Sequence, residues 1–150
     1  MYQGKFKAKN KKKYSGNIDE IYYRSSWELS IMLWCDSNQN IIKWSSEELV
    51  IPYLCPTDNR IHRYFVDFRI TFSDNKTYLV ELKPKKYTTP PKQKTQQKRH
   101  RKTYITEVLT FVKNQAKWKA AEAYATGVGE VFQVWTEDTL KQLGIKVLSK

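Results

Sequence analysis

Three side chains near the middle of the chain have the types and spacing of a hydrolytic site: Asp67, Glu81 and Lys83. Glu81 and Lys83 are separated by one residue on a predicted strand, so both side chains point to the same face of a sheet. Asp67 lies fourteen residues before Glu81 on the preceding predicted strand. Two carboxylates with a lysine beside them can hydrolyse a phosphodiester when a hard divalent cation lies between the carboxylates.

The two strands that carry these residues are predicted to form a β-hairpin. Residues 61–72 alternate in hydrophobicity and indicate one continuous strand, and residues 76–83 indicate the next. The sequence Ser-Asp-Asn at residues 73–75 is typical of the turn between them. One face of the first strand is expected to hold His62, Tyr64, Val66, Phe68, Ile70 and Phe72.

Hydrophobic pairing fixes the register of this hairpin. If the apolar faces coincide, Phe68 lies opposite Val80, and the same register places Asp67 opposite Glu81. Directly opposed carboxylates repel each other. We therefore expect Mg²⁺ between them, with Mn²⁺ as a substitute, and a lysine that orients water or stabilises the charge on the phosphate.

Glu28 is a fourth candidate, on a helix predicted from about Ser26 to Ser37. The spacing Ser25-x-x-Glu28 also fits a capping box, in which the glutamate reaches back to the backbone of the serine. The residues alone leave both interpretations open.

The positive charge is concentrated in two runs of a chain whose formal net charge is +12. Residues 5–13 hold six lysines, and residues 83–102 hold seven lysines and two arginines, without an acidic residue in either run. Residues 5–13 fit a solvated arm or a phosphate contact equally well. Prolines in the second run predict a stiff extended loop that contacts nucleic acid, and RNA would satisfy the charge as well as DNA. The predicted contacts are Lys85, Lys86, Lys92, Lys94, Lys98, Arg99 and Arg101.

The remaining elements indicate an α/β domain with a mixed sheet and helices on its faces. Residues 1–20 are expected to form an irregular basic arm, and residues 21–150 a single domain. Further strands are predicted at 41–45, 48–54 and 130–135. The strand at 48–54 is expected at an edge or a bulge because of Pro52, and the strand at 130–135 is expected to be buried. Further helices are predicted at 103–125, ended by Gly127 and Gly129, and at 137–143.

Composition excludes several classes. The 150 residues include five glycines without a phosphate-binding loop, so no nucleotide cofactor is expected. Two cysteines and two histidines exclude a four-thiolate zinc site and disfavour a histidine-based nuclease. No segment reaches the roughly 18 apolar residues of a membrane helix, so no membrane partner is expected.

The motif Asp67…Glu81-Leu82-Lys83 resembles that of the PD-(D/E)xK nuclease superfamily, whose core has the order α-β-β-β-α-β. Within that superfamily, the strings YRSSWEL, IKWSSEELVIPY, RYFVDF and VELKP are similar to those of tailed-phage head completion nucleases and of TnsA-like transposon endonucleases. Val66 stands where the motif name has proline, as in many members.

The resemblance implies a restriction-endonuclease-like fold and a Mg²⁺-dependent DNA nuclease that processes the packaged DNA end before head–tail joining. It implies Asp67, Glu81 and Glu28 as metal ligands, Lys83 as the catalytic lysine, and Gln115 as a supporting residue. Double-stranded DNA and phage portal, connector or neck proteins would be the partners, in the host cytoplasm during assembly or within the virion head. The alternatives are a non-catalytic DNA-binding head plug and a transposon end-cleaving endonuclease.

Overall fold

The computed structural model describes residues 3–93 and 98–147, and the side chains of residues 98–100 lie outside that description. The strands are β1 Gly4–Lys5, β2 Tyr22–Tyr23, β3 Ile41–Ser46, β4 Val50–Cys55, β5 Arg60–Phe65, β6 Phe68–Phe72, β7 Thr77–Leu82 and β8 Val131–Trp135. The α-helices are α1 Ser26–Ser37, α2 Lys98–Val128 and α3 Glu137–Gln142. Short 3-10 turns lie at Lys11–Lys13 and Lys85–Tyr87.

A four-stranded sheet in the order β3-β6-β7-β8 forms the centre of the molecule. β3, β6 and β7 are antiparallel neighbours, whereas β8 lies parallel to β7. The chain returns from β7 to β8 through α2, because parallel neighbours need a long crossover. The predicted mixed sheet with the order α-β-β-β-α-β is therefore confirmed.

Apolar side chains cover both faces of this sheet. On one face, residues of α1, α3 and the N-terminal segment pack against Phe68 of β6 and Val80 of β7. On the other face, α2 and the β4–β5 hairpin pack against Leu79 of β7. Neighbouring residues of a strand alternate between faces, so Glu81 shares the face of Leu79 and points towards α2 and the hairpin.

The prediction of one continuous strand over 61–72 is wrong, because the chain changes sheets at Val66 and Asp67. β5 pairs with β4 in a separate hairpin, whereas β6 pairs with β3 and β7. The predicted common face is split accordingly: Tyr64 packs with the second cluster and Phe68 with the first. Hydrophobic alternation continues across the break and so does not reveal it. Pro52 lies in β4, whose partner among the described strands is β5, as expected for an edge strand.

Two further boundaries differ from the predictions. The described α2 runs from Lys98 to Val128, so residues 98–102 of the predicted basic loop are helical, and the helix ends one residue after Gly127. Gly129 follows with a φ of 76°, a conformation that favours glycine. The β8 strand is only partly buried, and its first residue is 46% exposed, because β8 is an edge strand of the sheet.

The described part of the N-terminal arm is mostly irregular but is packed against the domain. Phe6 and Tyr14 are buried and contact the ring of Trp44 edge-on, at centroid distances of 5.8 and 4.8 Å. Asp36 near the end of α1 accepts hydrogen bonds from the backbone N–H groups of Lys9 and Asn10 at 2.9 and 3.0 Å. The arm therefore supplies part of the core. Within the described residues, no helix is both long and apolar enough to cross a membrane.

Candidate active site

Glu81 lies near the carboxyl end of β7, where it is 7% exposed. Its Oε2 accepts hydrogen bonds from the hydroxyl of Tyr64 at 3.1 Å and from the indole N–H of Trp118 at 3.2 Å. Tyr64 belongs to β5 and Trp118 to α2, so the two elements over this face of the sheet orient one carboxylate.

Asp67 lies beside Glu81, in the two-residue segment between β5 and β6. Its Oδ2 accepts a hydrogen bond from the backbone N–H of Leu82 at 2.8 Å. Burial first, and then the charge of the nearby Glu81, raises the pKa of Asp67 well above its usual range. Without a cation, Asp67 therefore keeps its proton to a higher pH than an exposed aspartate would.

The hairpin register explains why these groups meet. Phe68 pairs with Val80, as predicted, and the ladder between β6 and β7 ends at that pair. Asp67 is therefore not a ladder partner of Glu81, because the chain turns towards β5 at this point. Its carboxylate reaches β7 through the N–H of Leu82 instead. The predicted proximity is present, although the strand pairing expected to produce it is not.

Lys83 follows β7 and is held by a backbone hydrogen bond from its N–H to the carbonyl of Trp135, at 3.0 Å. Its side chain lines a cleft of about 600 Å³ between the segment after β7 and α2. The buried Asn114 of α2 lines the same cleft. Neither Asp67 nor Glu81 is among the residues that line this cleft. Lys83, two residues after Glu81 and on the same strand face, is the residue that connects the cleft to the carboxylate pair.

Glu28 lies in the first turn of α1, with Ser25 as the N-cap. The Glu28 N–H donates to Ser25 Oγ at 3.1 Å, and that hydroxyl lies 3.3 Å from Glu28 Oε2. Burial, and next the charge of Glu47, raises the pKa of Glu28. The charge of Glu28 also contributes to the raised pKa of Asp67, so the two carboxyl groups lie within electrostatic range.

The carboxylate of Glu28 does not form a compact ligand group with those of Asp67 and Glu81. In the described part of the chain, one group of three potential ligands has all its ligand atoms within 4.8 Å of one another: Cys55, Asp58 and His62. Residues able to hold a metal ion are therefore present at a second place in the molecule. The predicted trio Glu28, Asp67 and Glu81 is not that compact.

Comparison with known proteins gives this geometry a context. A family model described as "TnsA-like endonuclease N terminal" matches residues 38–137, an interval that contains Asp67, Glu81 and Lys83. The match covers about two thirds of the 150 residues. The chain belongs to the TnsA-like endonuclease family. It is also similar to the head completion nuclease of Enterobacteria phage T4, with 41% identity over 146 residues and 97% of each chain covered. As a member of this family, the chain is a nuclease.

The predicted DNA contacts of this TnsA-like endonuclease have different surroundings. Lys86 and Lys92 line the cleft next to Lys83. Lys85 instead forms an ion pair with α3, in which its Nζ lies 3.1 Å from Asp138 Oδ2. Arg101 is exposed on α2. Outside the description lie Lys94 and the side chains of Lys98 and Arg99.

Sequence reasoning missed the residues that support the TnsA-like site. Tyr64 was expected on the face of Phe68, and Trp118 was expected only as part of a core. Gln115, the expected supporting residue, is exposed, whereas its neighbour Asn114 is buried at the cleft. The helical spacing of Asn114 and Trp118, four residues apart, places both on one face of α2 and was the available signal.

Proposed function

We propose that this chain is a Mg²⁺-dependent DNA nuclease that processes the end of packaged DNA during phage head completion, before heads join tails. The buried carboxylate pair of Asp67 and Glu81, followed two residues later by Lys83 at the wall of a lysine-lined cleft, carries this proposal. The printed name of the T4 relative, head completion nuclease, supports the assembly step. Double-stranded DNA would be the substrate, and portal, connector or neck proteins would be the neighbours.

The carboxylate pair fits a hard divalent cation. Ionisation of Asp67 is disfavoured by burial and by the charge of the nearby Glu81. A cation between them would remove both penalties, and carboxylate oxygens are the ligands that Mg²⁺ prefers. When bound, Mg²⁺ stabilises charge on the scissile phosphate and lowers the pKa of its water, and Mn²⁺ has the same preferences.

The residues around the pair hold it in place for that ion. Tyr64 and Trp118 fix the Glu81 carboxylate, and the backbone N–H of Leu82 fixes that of Asp67. All three donors are on or packed against rigid elements, so the two carboxylates stay oriented without substrate. This preorganisation reduces the rearrangement needed at the moment of reaction.

Lys83 would serve as the catalytic cation. Its ammonium group can donate to a phosphate oxygen or to the attacking water, and the cleft that it lines also contains Lys86 and Lys92. These lysines would hold the backbone of the DNA along the cleft. Glu28 would complete the ligand set once a cation draws the carboxylates together, and it would otherwise remain beside its cap, Ser25.

A cleavage assay on linear and closed-circular duplex DNA tests this proposal. The parent protein should cleave duplex DNA with Mg²⁺ and be inactive with a chelator. Glu81→Gln should lose cleavage because it removes one ligand charge, whereas Glu122→Gln, at an exposed position of α2, should cleave like the parent. Cleavage of the circular substrate would establish endonucleolytic attack. Duplex binding without cleavage under Mg²⁺ or Mn²⁺ would contradict the proposal and support the head-plug alternative.

A further inference from the structure

The tip of the β4–β5 hairpin gathers three side chains of different chemistry. β4 ends at Cys55 and β5 begins at Arg60, and these two residues pair across the hairpin. Asn59 has a φ of 58°, and its N–H donates to the carbonyl of Cys55 at 2.8 Å. This tight turn folds Asp58 back over the strands, so the ligand atoms of Cys55, Asp58 and His62 all lie within 4.8 Å of one another.

The donor set at this tip differs from that of the nuclease pair. A thiolate, an imidazole nitrogen and one carboxylate oxygen are the ligands that zinc takes in proteins, whereas Mg²⁺ prefers oxygen alone. The sequence order Cys-x-x-Asp-x-x-x-His puts all three on one turn and the start of its second strand. A fourth position would remain for water, as in zinc sites with three protein ligands.

Further contacts orient each of the three side chains. Cys55 Sγ lies 3.1 Å from Thr57 Oγ1, so the threonine hydroxyl orients the thiol. Asp58 Oδ1 accepts from the N–H of Arg60 at 3.0 Å, which leaves Oδ2 directed at His62. Supporting hydrogen bonds of this kind are characteristic of metal ligands.

The histidine is held as well. Its Nε2 lies 2.6 Å from Asp58 Oδ2, and its ring packs against the ring of Tyr53 at a centroid distance of 5.8 Å. A metal ion at this place would replace the hydrogen bond between Nε2 and Oδ2, so the imidazole and the carboxylate would keep nearly the same orientation. Cys55 is fully buried under the turn and supplies the inner side of the site.

The hairpin tip is separate from the proposed nuclease centre. β5 runs from the tip towards Asp67, and the five residues from His62 to Asp67 span roughly 16 Å at the rise of an extended strand. The two places also differ in charge and in ligand chemistry. We infer that Cys55, Asp58 and His62 bind one zinc ion, which ties the end of the β4–β5 hairpin together.

Titration of the full-length protein with Co²⁺, a spectroscopic substitute for zinc, tests this inference in a thiol-free reducing buffer. The parent should bind one equivalent with a thiolate-to-cobalt charge-transfer band in the near ultraviolet, and Zn²⁺ should abolish the band. Cys55→Ser should lose the band. Cys35→Ala should keep it, because Cys35 is the other buried thiol and lies outside the group.

Two more variants test the site independently, in case Cys55→Ser does not fold. His62→Gln changes a half-exposed side chain and should weaken Co²⁺ binding by more than the ~10–100-fold typical of losing a supporting group. Thr57→Val should weaken it by about 10–100-fold with the stoichiometry unchanged. Zn²⁺ should raise the melting temperature of the parent and not that of His62→Gln.

The outcome is independent of the proposed nuclease function. Glu81→Gln should keep the charge-transfer band, and His62→Gln should keep Mg²⁺-dependent cleavage. A parent protein without a stoichiometric band, or a band that survives Cys55→Ser, would overturn the zinc inference and leave the nuclease proposal untouched. Equal Co²⁺ affinity in the parent and His62→Gln would overturn it as well.

Discussion

Asp67 shows at the scale of one residue how a site can weaken the fold that holds it. Burial and the charge of Glu81 raise the pKa of Asp67 well above its usual range. A residue selected only for stability at this position would be neutral, since a neutral group could still accept the N–H of Leu82. The unfavourable charge is therefore a local sign of function.

Asp67→Asn should raise the melting temperature in chelator, because it removes the free-energy cost of keeping Asp67 either protonated or charged beside Glu81, and it keeps an oxygen for the Leu82 N–H. Each kcal/mol relieved corresponds to about 2–4 °C for a domain of this size. Parent and variant should be compared by thermal unfolding with chelator and with Mg²⁺. Mg²⁺ should stabilise the parent and not the variant.

Asp74→Asn is the matched control on the same hairpin. Asp74 lies in the exposed turn between β6 and β7, where Oδ1 accepts the N–H of Lys76 at 3.0 Å. An asparagine can make the same bond, so its melting temperature should stay close to that of the parent in either buffer. An equal rise for both variants would point to a general charge effect in place of repulsion at the pair.

Tyr14 gives a second residue-scale prediction, for alkaline pH. Its buried hydroxyl donates to Glu48 Oε2 at 2.7 Å and accepts the N–H of Ser46 at 3.2 Å. Burial raises its pKa well above the usual value of about 10. A raised folded pKa gives stability that is fully present below pH ~10 and is lost as the pH rises further, because the unfolded state releases its proton first.

Between pH ~10 and ~11, the unfolding free energy of the parent should therefore fall more steeply than that of Tyr14→Phe. The difference in slope approaches about 1.4 kcal/mol per pH unit. Urea unfolding across a pH series measures it. Tyr87→Phe, at an exposed tyrosine, should leave the parental slope unchanged, and parallel slopes for parent and Tyr14→Phe would contradict the prediction.

At the scale of elements, one lysine connects the basic arm to the first helix. Lys13 Nζ donates to the carbonyl oxygens of Asn38 at 2.6 Å, Asp36 at 3.2 Å and Cys35 at 3.4 Å. These carbonyls lie at the C-terminal end of α1, where backbone carbonyl groups have no hydrogen-bond partner within the helix. A positive charge is favourable there because of the helix dipole. Part of the first basic run therefore stabilises the fold through these hydrogen bonds.

Lys13→Met should lower the unfolding free energy by about 1–2 kcal/mol, since it keeps the aliphatic length but leaves the carbonyls of α1 without the ammonium group. Lys12→Met is the control, because Lys12 is exposed in the same 3-10 turn. Urea unfolding of both variants measures the effect. If the two midpoints coincide, the Lys13 interaction contributes no net stability.

At the scale of the whole molecule, the surplus of positive charge is divided between two surfaces. Lys86 and Lys92 line the cleft beside Lys83. Lys5 and Lys7 are exposed on the arm, which is packed on the opposite face of the central sheet through Phe6. Lys83, two residues after Glu81, lines the cleft and not the arm, which favours the cleft as the path of DNA.

The double variant Lys86→Gln, Lys92→Gln should weaken duplex binding for every sequence, because neither side chain could then neutralise a phosphate. The log–log salt dependence should become shallower by roughly 0.9 for each phosphate that is no longer neutralised. Titration of a short duplex across a salt series, in chelator to prevent cleavage, measures the slope. Lys5→Gln, Lys7→Gln is the charge-matched comparison and should keep the parental slope. If the arm variant shows the shallower slope, DNA runs along the arm.

The amino-acid sequence was sufficient to predict the core order α-β-β-β-α-β, the Phe68–Val80 register and the proximity of Asp67 and Glu81. Those features depend on local patterns: alternation within strands, a turn signal, and a serine cap that starts α1 at Ser26. Short-range periodicity indicates these features, because the buried face of a strand or helix follows from the pattern of neighbouring residues.

The position of the strand break and the surroundings of the carboxylates emerge only from the three-dimensional packing. The change of sheet at Val66 and Asp67 depends on which strands lie alongside, and alternation continues unchanged across it. Tyr64 and Trp118 meet Glu81 from β5 and α2, at separations of 17 and 37 residues. Helical spacing places Trp118 on one face of α2 with Asn114, but it does not show that this face meets Glu81, because the packing of distant elements creates that contact.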